Sequence, residues 1–218
     1  MGFEEPPDDI LRGVNWVAKL LALALAAPPG LAATVAVTAR DPQGNALEDV
    51  VVWAMPRGSA APARTRPAQV EQRDKAFIPL VSVVQAGTMV SFPNRDEIRH
   101  HVYSFSPAKR FEIKLYAGTP ADPILFDKTG DVVLGCNIHD HMIAYIYVVE
   151  SPWFAKTDKE GRARLTGLPP GDYDVNAWHY AQDAKPDPVG VRLQGEEATA
   201  PATFAVGRRP MPPRPSPR

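Results

Sequence analysis

At 218 residues, with 24 basic and 25 acidic side chains and a formal net charge of −1, the chain has room for one sizeable core or two small ones. It lacks the basic excess of a nucleic-acid binder or of a polybasic membrane clamp. Its 24 prolines and 15 glycines, with no long amphipathic helical pattern after the N-terminus, predict an all-β chain of short strands and turns.

Residues 20–27 are a Leu/Ala run that follows Lys19 and precedes Pro28-Pro29-Gly30-Leu31-Ala32-Ala33. A short apolar stretch ending in small residues predicts a signal peptide over residues 1–33, cleaved near Ala33. The run is too short to span a bilayer comfortably, so no integral membrane segment is expected after cleavage. Glu4, Glu5, Asp8 and Asp9 do not suit the basic start of a signal; one hypothesis is that translation begins near Val14, leaving Lys19 as its basic residue. Export places the chain in an oxidising compartment. There the lone cysteine, Cys136, has no disulfide partner in the chain and is a liability unless buried or bound.

Residues 34–56 alternate apolar and polar around the turn Asp41-Pro42-Gln43-Gly44-Asn45 and predict two strands. Residues 57–69, rich in Pro, Ala and Arg, read as a linker. Residues 70–150 carry strand-like runs at 82–84, 88–92, 101–105, 132–134 and 143–149. Residues 151–206 begin with the turn Thr157-Asp158-Lys159-Glu160-Gly161 and continue as strands on both sides of Gly167-Leu168-Pro169-Pro170-Gly171. The Pro/Arg-rich end, residues 207–218, is predicted to be disordered. No tandem repeat is visible.

Four of the five histidines sit in two tight pairs, His100-His101 and His139/His141. The second pair lies in Cys136-Asn137-Ile138-His139-Asp140-His141-Met142. A thiolate, two imidazoles and a thioether are the donor set of a type-1 (blue) copper site. A loop between two strands can turn Cys136 and His139 toward one point, and three further residues bring the Met142 sulfur back to it. The second imidazole must come from a distant strand. His100 and His101 alternate across that strand, so only one of them faces the metal. His179 is in phase with Tyr173, Val175 and Ala177 and is read as structural. Trp53, Trp153 and Trp178 are read as core or interface residues rather than electron relays.

Residues 70–150 resemble the small cupredoxins, amicyanin most closely and plastocyanin and pseudoazurin more distantly. The resemblance rests on Ala86-Gly87-Thr88-Met89-Val90, Asn94-Arg95-Asp96, His100-His101-Val102 and Cys136-x-x-His139-x-x-Met142. It implies a Greek-key β-sandwich holding one copper ion through His100, Cys136, His139 and Met142, with Asn94 and His101 supporting these ligands. Asn94 would cross-link the two ligand-bearing loops. Two positions depart from the family pattern: His101 stands where Asn is usual, and His141 stands where an aromatic residue usually precedes the axial Met. The whole chain resembles periplasmic proteins of the methylamine-utilisation type, which implies a periplasmic location and a transient redox protein partner.

The flanks carry a second resemblance. Residues 35–52 and the segment from Thr157-Asp158-x-x-Gly161 to Gly167-Leu168-Pro169-Pro170-Gly171-x-Tyr173 look like two parts of a transthyretin-like, carboxypeptidase-regulatory-like sandwich. The cupredoxin of residues 70–150 would be inserted between residues 34–56 and 151–206 of that second small sandwich. Such modules often bind carbohydrate or proteins, although no residue here identifies a ligand. The expected function is single-electron carriage by a non-enzyme, with His139 as the electron port and Pro93, Ile138 and Ile143 framing a docking patch. The alternatives are a copper-delivery protein, and a copper enzyme or sensor with an open coordination position. Delivery sites favour Met-rich ligation, and this chain has five methionines with one in the cluster. A hydrolase would need an orienting acid and an oxyanion hole, and neither is visible.

Overall fold

The computed structural model describes residues 1–2, 33–120, 122–195 and 199–208. Residues 3–32 of the predicted signal segment and 209–218 of the predicted tail lie outside them. Among the described residues there is no helix, and so none long and apolar enough to cross a membrane.

Two facing sheets are built from the flanks. One has the order β14 (Arg162–Leu168), β1 (Ala33–Arg40), β17 (Thr199–Ala205). The other runs β13 (Phe154–Lys156), β2 (Val51–Pro56), β15 (Gly171–Trp178), β16 (Val189–Leu193). The predicted strand pair of residues 34–56 therefore does not form a hairpin: β1 and β2 lie in different sheets. Alternation decides which side chains face inward. Along β14 only Ala163, Leu165 and Leu168 are buried, and along β1 Val35, Val37 and Ala39 meet them. With Leu47, Val52, Trp153, Val175, Leu193 and Phe204 they form one core drawn from both ends of the chain. At about 1.5–3 kcal/mol for each fully buried Val, Leu or Phe, neither flank could be stable alone, because each supplies only part of that core.

Polar contacts fix the same long-range pairing. The buried Thr157 hydroxyl donates to the Leu47 carbonyl at 2.6 Å and accepts from the Val50 N–H at 2.9 Å. Gly161, at φ +72°, lets its carbonyl accept from the Ala39 N–H; a Cβ there would lie 2.4 Å from the Ala39 carbonyl oxygen. The beginning of the predicted tail also belongs to the fold. The Gly207 carbonyl accepts from the Asp183 N–H, and the Arg208 guanidinium lies 3.7 Å from the Asp41 carboxylate.

Between the flanks, a five-stranded sheet has the order β6 (Val81–Gln85), β12 (Ile143–Val149), β11 (Gly130–Gly135), β8 (His100–Ser106), β9 (Lys109–Tyr116). A smaller sheet runs β10 (Ile124–Phe126), β7 (Thr88–Ser91), β3 (Ala68–Gln69), and β4 (Glu71–Arg73) with β5 (Ala76–Ile78) makes a separate hairpin. Their apolar faces enclose a second core containing Val90, Phe92, Val102, Phe126, Leu134, Cys136, Met142 and Ile146. The predicted linker, residues 57–69, ends in β3, and its course is tied down by the Gln85 amide, which meets the Arg64 N–H and the Pro62 carbonyl.

A third, aromatic layer joins the two cores. Val51, Trp53 and Trp178 pack on Val81 and Val149, with Tyr145, Tyr147 and Tyr180 around them. Tyr147 stacks on Trp178 at 4.6 Å between centroids, and Tyr145 stacks on Tyr180 at 4.8 Å; such pairs add about 0.5–1.5 kcal/mol beyond their buried area. Trp53 and Trp178 thus lie in this layer, and Trp153 lies in the flank core. His179 is buried beside Tyr180. Burial pulls its imidazole down to about 4, so the ring is neutral, and Nδ1 accepts from the Ala181 N–H at 3.2 Å.

Candidate metal centre

The ligand-bearing segments are strand ends. His100 opens β8, Cys136 directly follows β11, and Met142 directly precedes β12. The loop between β11 and β12 is closed by a 2.9 Å hydrogen bond from the Met142 N–H to the His139 carbonyl. That turn brings His139 back over Cys136, with Nδ1 at 3.9 Å from Sγ. Gly135 leads into the loop beneath a side chain: a Cβ there would lie 2.7 Å from the ring of Tyr103 on β8, so a larger residue would make that ring shift.

His100, Cys136 and His139 form one group, with one donor atom from each lying within 4.8 Å of the other two. The His100 and His139 rings meet edge to face at 5.0 Å. Both His100 and Cys136 are buried, whereas His139 is partly exposed. Met142 is buried in the same core as Cys136. His101 points to the other side of β8, where Nε2 lies 2.8 Å from the Glu112 carboxylate and the ring lies 5.6 Å from Tyr103. His141 places its ring 5.9 Å from that of His139 and is not part of the three-residue group.

The fit to a metal can be tested on the donors themselves. His100 Nε2 is bound to the Asp96 carboxylate at 2.7 Å. Its buried Nδ1 has no hydrogen-bond partner, although a buried polar atom ordinarily has one. A metal ion at this point would satisfy it. Burial, together with the neighbouring His100 and His141, lowers the pKa of His139, which favours the neutral, metal-binding imidazole. A soft thiolate with two imidazoles suits copper, and Met142 is buried in the same core as the thiol. The residues present therefore fit the group.

Asn94 is buried, and its amide donates to the Ile98 carbonyl at 2.8 Å and the Tyr116 carbonyl at 3.0 Å, while Oδ1 accepts from the Asp96 N–H. These bonds brace the loop before His100 against the end of β9 rather than against the Cys136–Met142 loop. Of the three residues expected to frame a docking patch, Ile138 (49%) and Ile143 (44%) are exposed. Pro93 is buried, and its carbonyl pairs with the Gln72 N–H on β4. Ile98, 42% exposed in the loop before His100, is the apolar surface residue on that side.

Three supporting residues had no sequence signal that marked them as such. Asp96 contacts His100 directly. Burial alone would raise its carboxyl, but the Lys75 N–H, His100 and the Asp74 N–H together hold it below the usual carboxylate range. The buried Gln72 amide contacts the Tyr116 hydroxyl, which donates to the Phe92 carbonyl at 2.6 Å. Burial pushes the Tyr116 phenol up to about 12, so it remains a donor.

No protein-family model matches the chain, and no curated protein matches it in sequence. Among solved structures it is similar to a copper-containing nitrite reductase from Thermus scotoductus SA-01, at 27% identity over 44% of this chain and 25% of that one, with a TM-score of 0.37. It is similar to a purple cupredoxin from Nitrosopumilus maritimus, at 19% identity over 38% of this chain and 99% of that one, with a TM-score of 0.34. It is also similar to amicyanin from Paracoccus versutus, at 13% identity over 44% of this chain and 97% of that one, with a TM-score of 0.33. The chain thus spans a quarter of the nitrite reductase and nearly all of the two smaller proteins.

Proposed function

We propose that residues 70–150 are a cupredoxin whose type-1 copper is held by His100, Cys136, His139 and Met142, and that the exported, periplasmic protein carries single electrons between protein partners. The observation that carries this reading is the convergence of His100, Cys136 and His139, with His100 Nδ1 buried and unpartnered. Copper bound there supplies a one-electron couple. The chain's own part is to hold the donors still. Three of them sit at or beside strand ends, and the fourth, His139, is fixed by the Met142 N–H. Donors fixed in advance need little rearrangement when the charge of the site changes. His139, partly exposed between Ile138 and His141, offers an imidazole edge to a partner, and a small apolar patch suits a transient encounter.

The test separates carriage from delivery. Copper-loaded protein is cycled electrochemically in the presence of a Cu(I) chelator. The expected result is a reversible one-electron wave, with copper retained through repeated cycles. Irreversible reduction, with copper passing to the chelator, would favour a delivery protein instead.

The two cores suggest a nested architecture, in which the copper-binding part is inserted into a sandwich made by the flanks. Excising residues 57–149 and joining the ends with a short Gly/Ser linker is expected to leave a folded, colourless β domain. Its Trp53 and Trp178 face, covered in the full chain by Val81, Val149 and Tyr147, would become exposed and bind a hydrophobic dye. Joined flanks that are unfolded by circular dichroism, while residues 68–150 alone bind copper, would rule out the insertion.

A further inference from the structure

The loop before His100 carries a carboxylate with no solvent-facing task. Both oxygens of Asp96 are used: two of the three groups facing them are backbone N–H donors, and the third is the His100 ring. Oδ1 accepts from the Asp74 N–H at 2.7 Å; Oδ2 accepts from the Lys75 N–H at 3.0 Å and lies 2.7 Å from His100 Nε2. The two N–H groups come from the two-residue turn of the β4–β5 hairpin, where Arg73 pairs with Ala76. Asp74 and Lys75 both take the left-handed conformation, at φ 53° and 56°, as a tight hairpin turn of this twist demands. In that conformation both N–H groups turn toward the carboxylate. Asp96 is itself held from behind, since its N–H donates to Asn94 Oδ1.

We propose that Asp96 is the positioning residue of the metal centre: clamped by the tip of the β4–β5 hairpin, it takes the Nε2–H of His100 and so reserves the Nδ1 lone pair for the metal. This inference rests on the reading of His100 as a ligand. A neutral imidazole carries one proton and can place it on either nitrogen. Placed on Nδ1, it would block ligation through the one ring nitrogen that Asp96 leaves free. A carboxylate facing Nε2 decides between the two forms, because it can only accept. Alternation along β8 turns His100 toward the core and His101 to the opposite face, but it leaves open which ring nitrogen carries the proton.

An amide cannot replace this carboxylate. In Asp96→Asn, whichever way the side chain is turned, its NH2 group faces a donor, either the Asp74 N–H or the pair formed by Lys75 N–H and His100 Nε2. Nitrogen-15 shifts of the imidazoles in the metal-free, full-length protein read the tautomer directly. Wild-type His100 is expected almost wholly as the Nε2–H form, and Asp96→Asn as a mixture or as the Nδ1–H form. Metal affinity, measured with Cu(II) by competition, is expected to fall by about 10–100-fold in that variant, the usual loss when a ligand's hydrogen-bond partner is removed. Glu97→Gln removes the same charge from the exposed neighbouring position and is expected to change neither quantity.

A wild-type His100 carrying its proton on Nδ1 would overturn the proposal without recourse to a variant. So would a folded Asp96→Asn protein with unchanged tautomer and affinity. The two readings fail separately. Copper-loaded wild type with no thiolate absorption would defeat the blue-copper reading while leaving the tautomer result standing. A normal absorption band with an indifferent Asp96→Asn variant would defeat this inference alone.

Discussion

Cys136→Ala is expected to abolish the intense visible absorption of the Cu(II)-loaded protein completely, whereas His101→Ala leaves it in place. The band requires a thiolate bound to copper, and Cys136 is the only cysteine in the chain, so no other residue can substitute. The fold should survive. The replacement removes one sulfur from a core that also contains Leu134, Met142 and Ile146, a change on the order of 1 kcal/mol. Loss of colour with retained circular dichroism therefore reports on the ligand and not on unfolding. His101 is the informative control, because it is adjacent to His100 and is also buried. Its ring engages Glu112 on the opposite side of β8. Absorption that survives in Cys136→Ala, or that is lost in His101→Ala, would show that the donor set has been misassigned.

The second large effect concerns the axial donor. Met142→Gln is expected to lower the reduction potential by more than about 59 mV, a tenfold change in a one-electron equilibrium, and to alter the colour. His141→Phe is expected to leave the absorption bands nearly unchanged. Met142 is buried with Cys136 in one core, and His141 stands outside the group formed by His100, Cys136 and His139. A thioether is a soft, weak donor that tunes the potential without competing with the thiolate. An amide oxygen is harder and favours Cu(II). A third imidazole in that position would bind Cu(II) more strongly still and weaken the thiolate bond. Potentials measured by voltammetry on both variants decide the matter; a silent Met142→Gln with a transformed His141→Phe spectrum would reverse the axial assignment.

The extent to which the molecule is legible in its sequence follows from the range of the interactions involved. The runs at 82–84, 88–92, 101–105, 132–134 and 143–149 coincide with β6, β7, β8, β11 and β12, because apolar alternation is a local signal. The approach of Cys136 to His139 is legible for the same reason: their spacing lies within a single loop. β9 is harder to see. Lys109, Arg110, Glu112 and Lys114 are interspersed along it, so its apolar side shows only at Phe111, Ile113 and Tyr116, packed against the core. The β4–β5 hairpin is concealed by its turn, Asp74-Lys75, which adopts left-handed geometry without a glycine. Its role is concealed further, since the carboxylate it holds lies some twenty residues downstream. Asp96 stands within a segment noticed for Asn94, yet only the folded chain shows that it contacts His100. Gln72, which is buried, and Tyr116, which is half-buried, are single polar residues with no periodicity. Pro93 misleads in the other direction, because a proline beside a ligand loop suggests surface, whereas this one is buried with its carbonyl paired to β4.

The most direct test of the copper centre is the optical and electron paramagnetic resonance spectrum of the full-length wild-type protein loaded with one equivalent of Cu(II). Donors from His100, Cys136, His139 and Met142 predict an intense visible thiolate-to-copper band and a narrow copper hyperfine splitting. A colourless complex with a wide splitting would contradict the assignment.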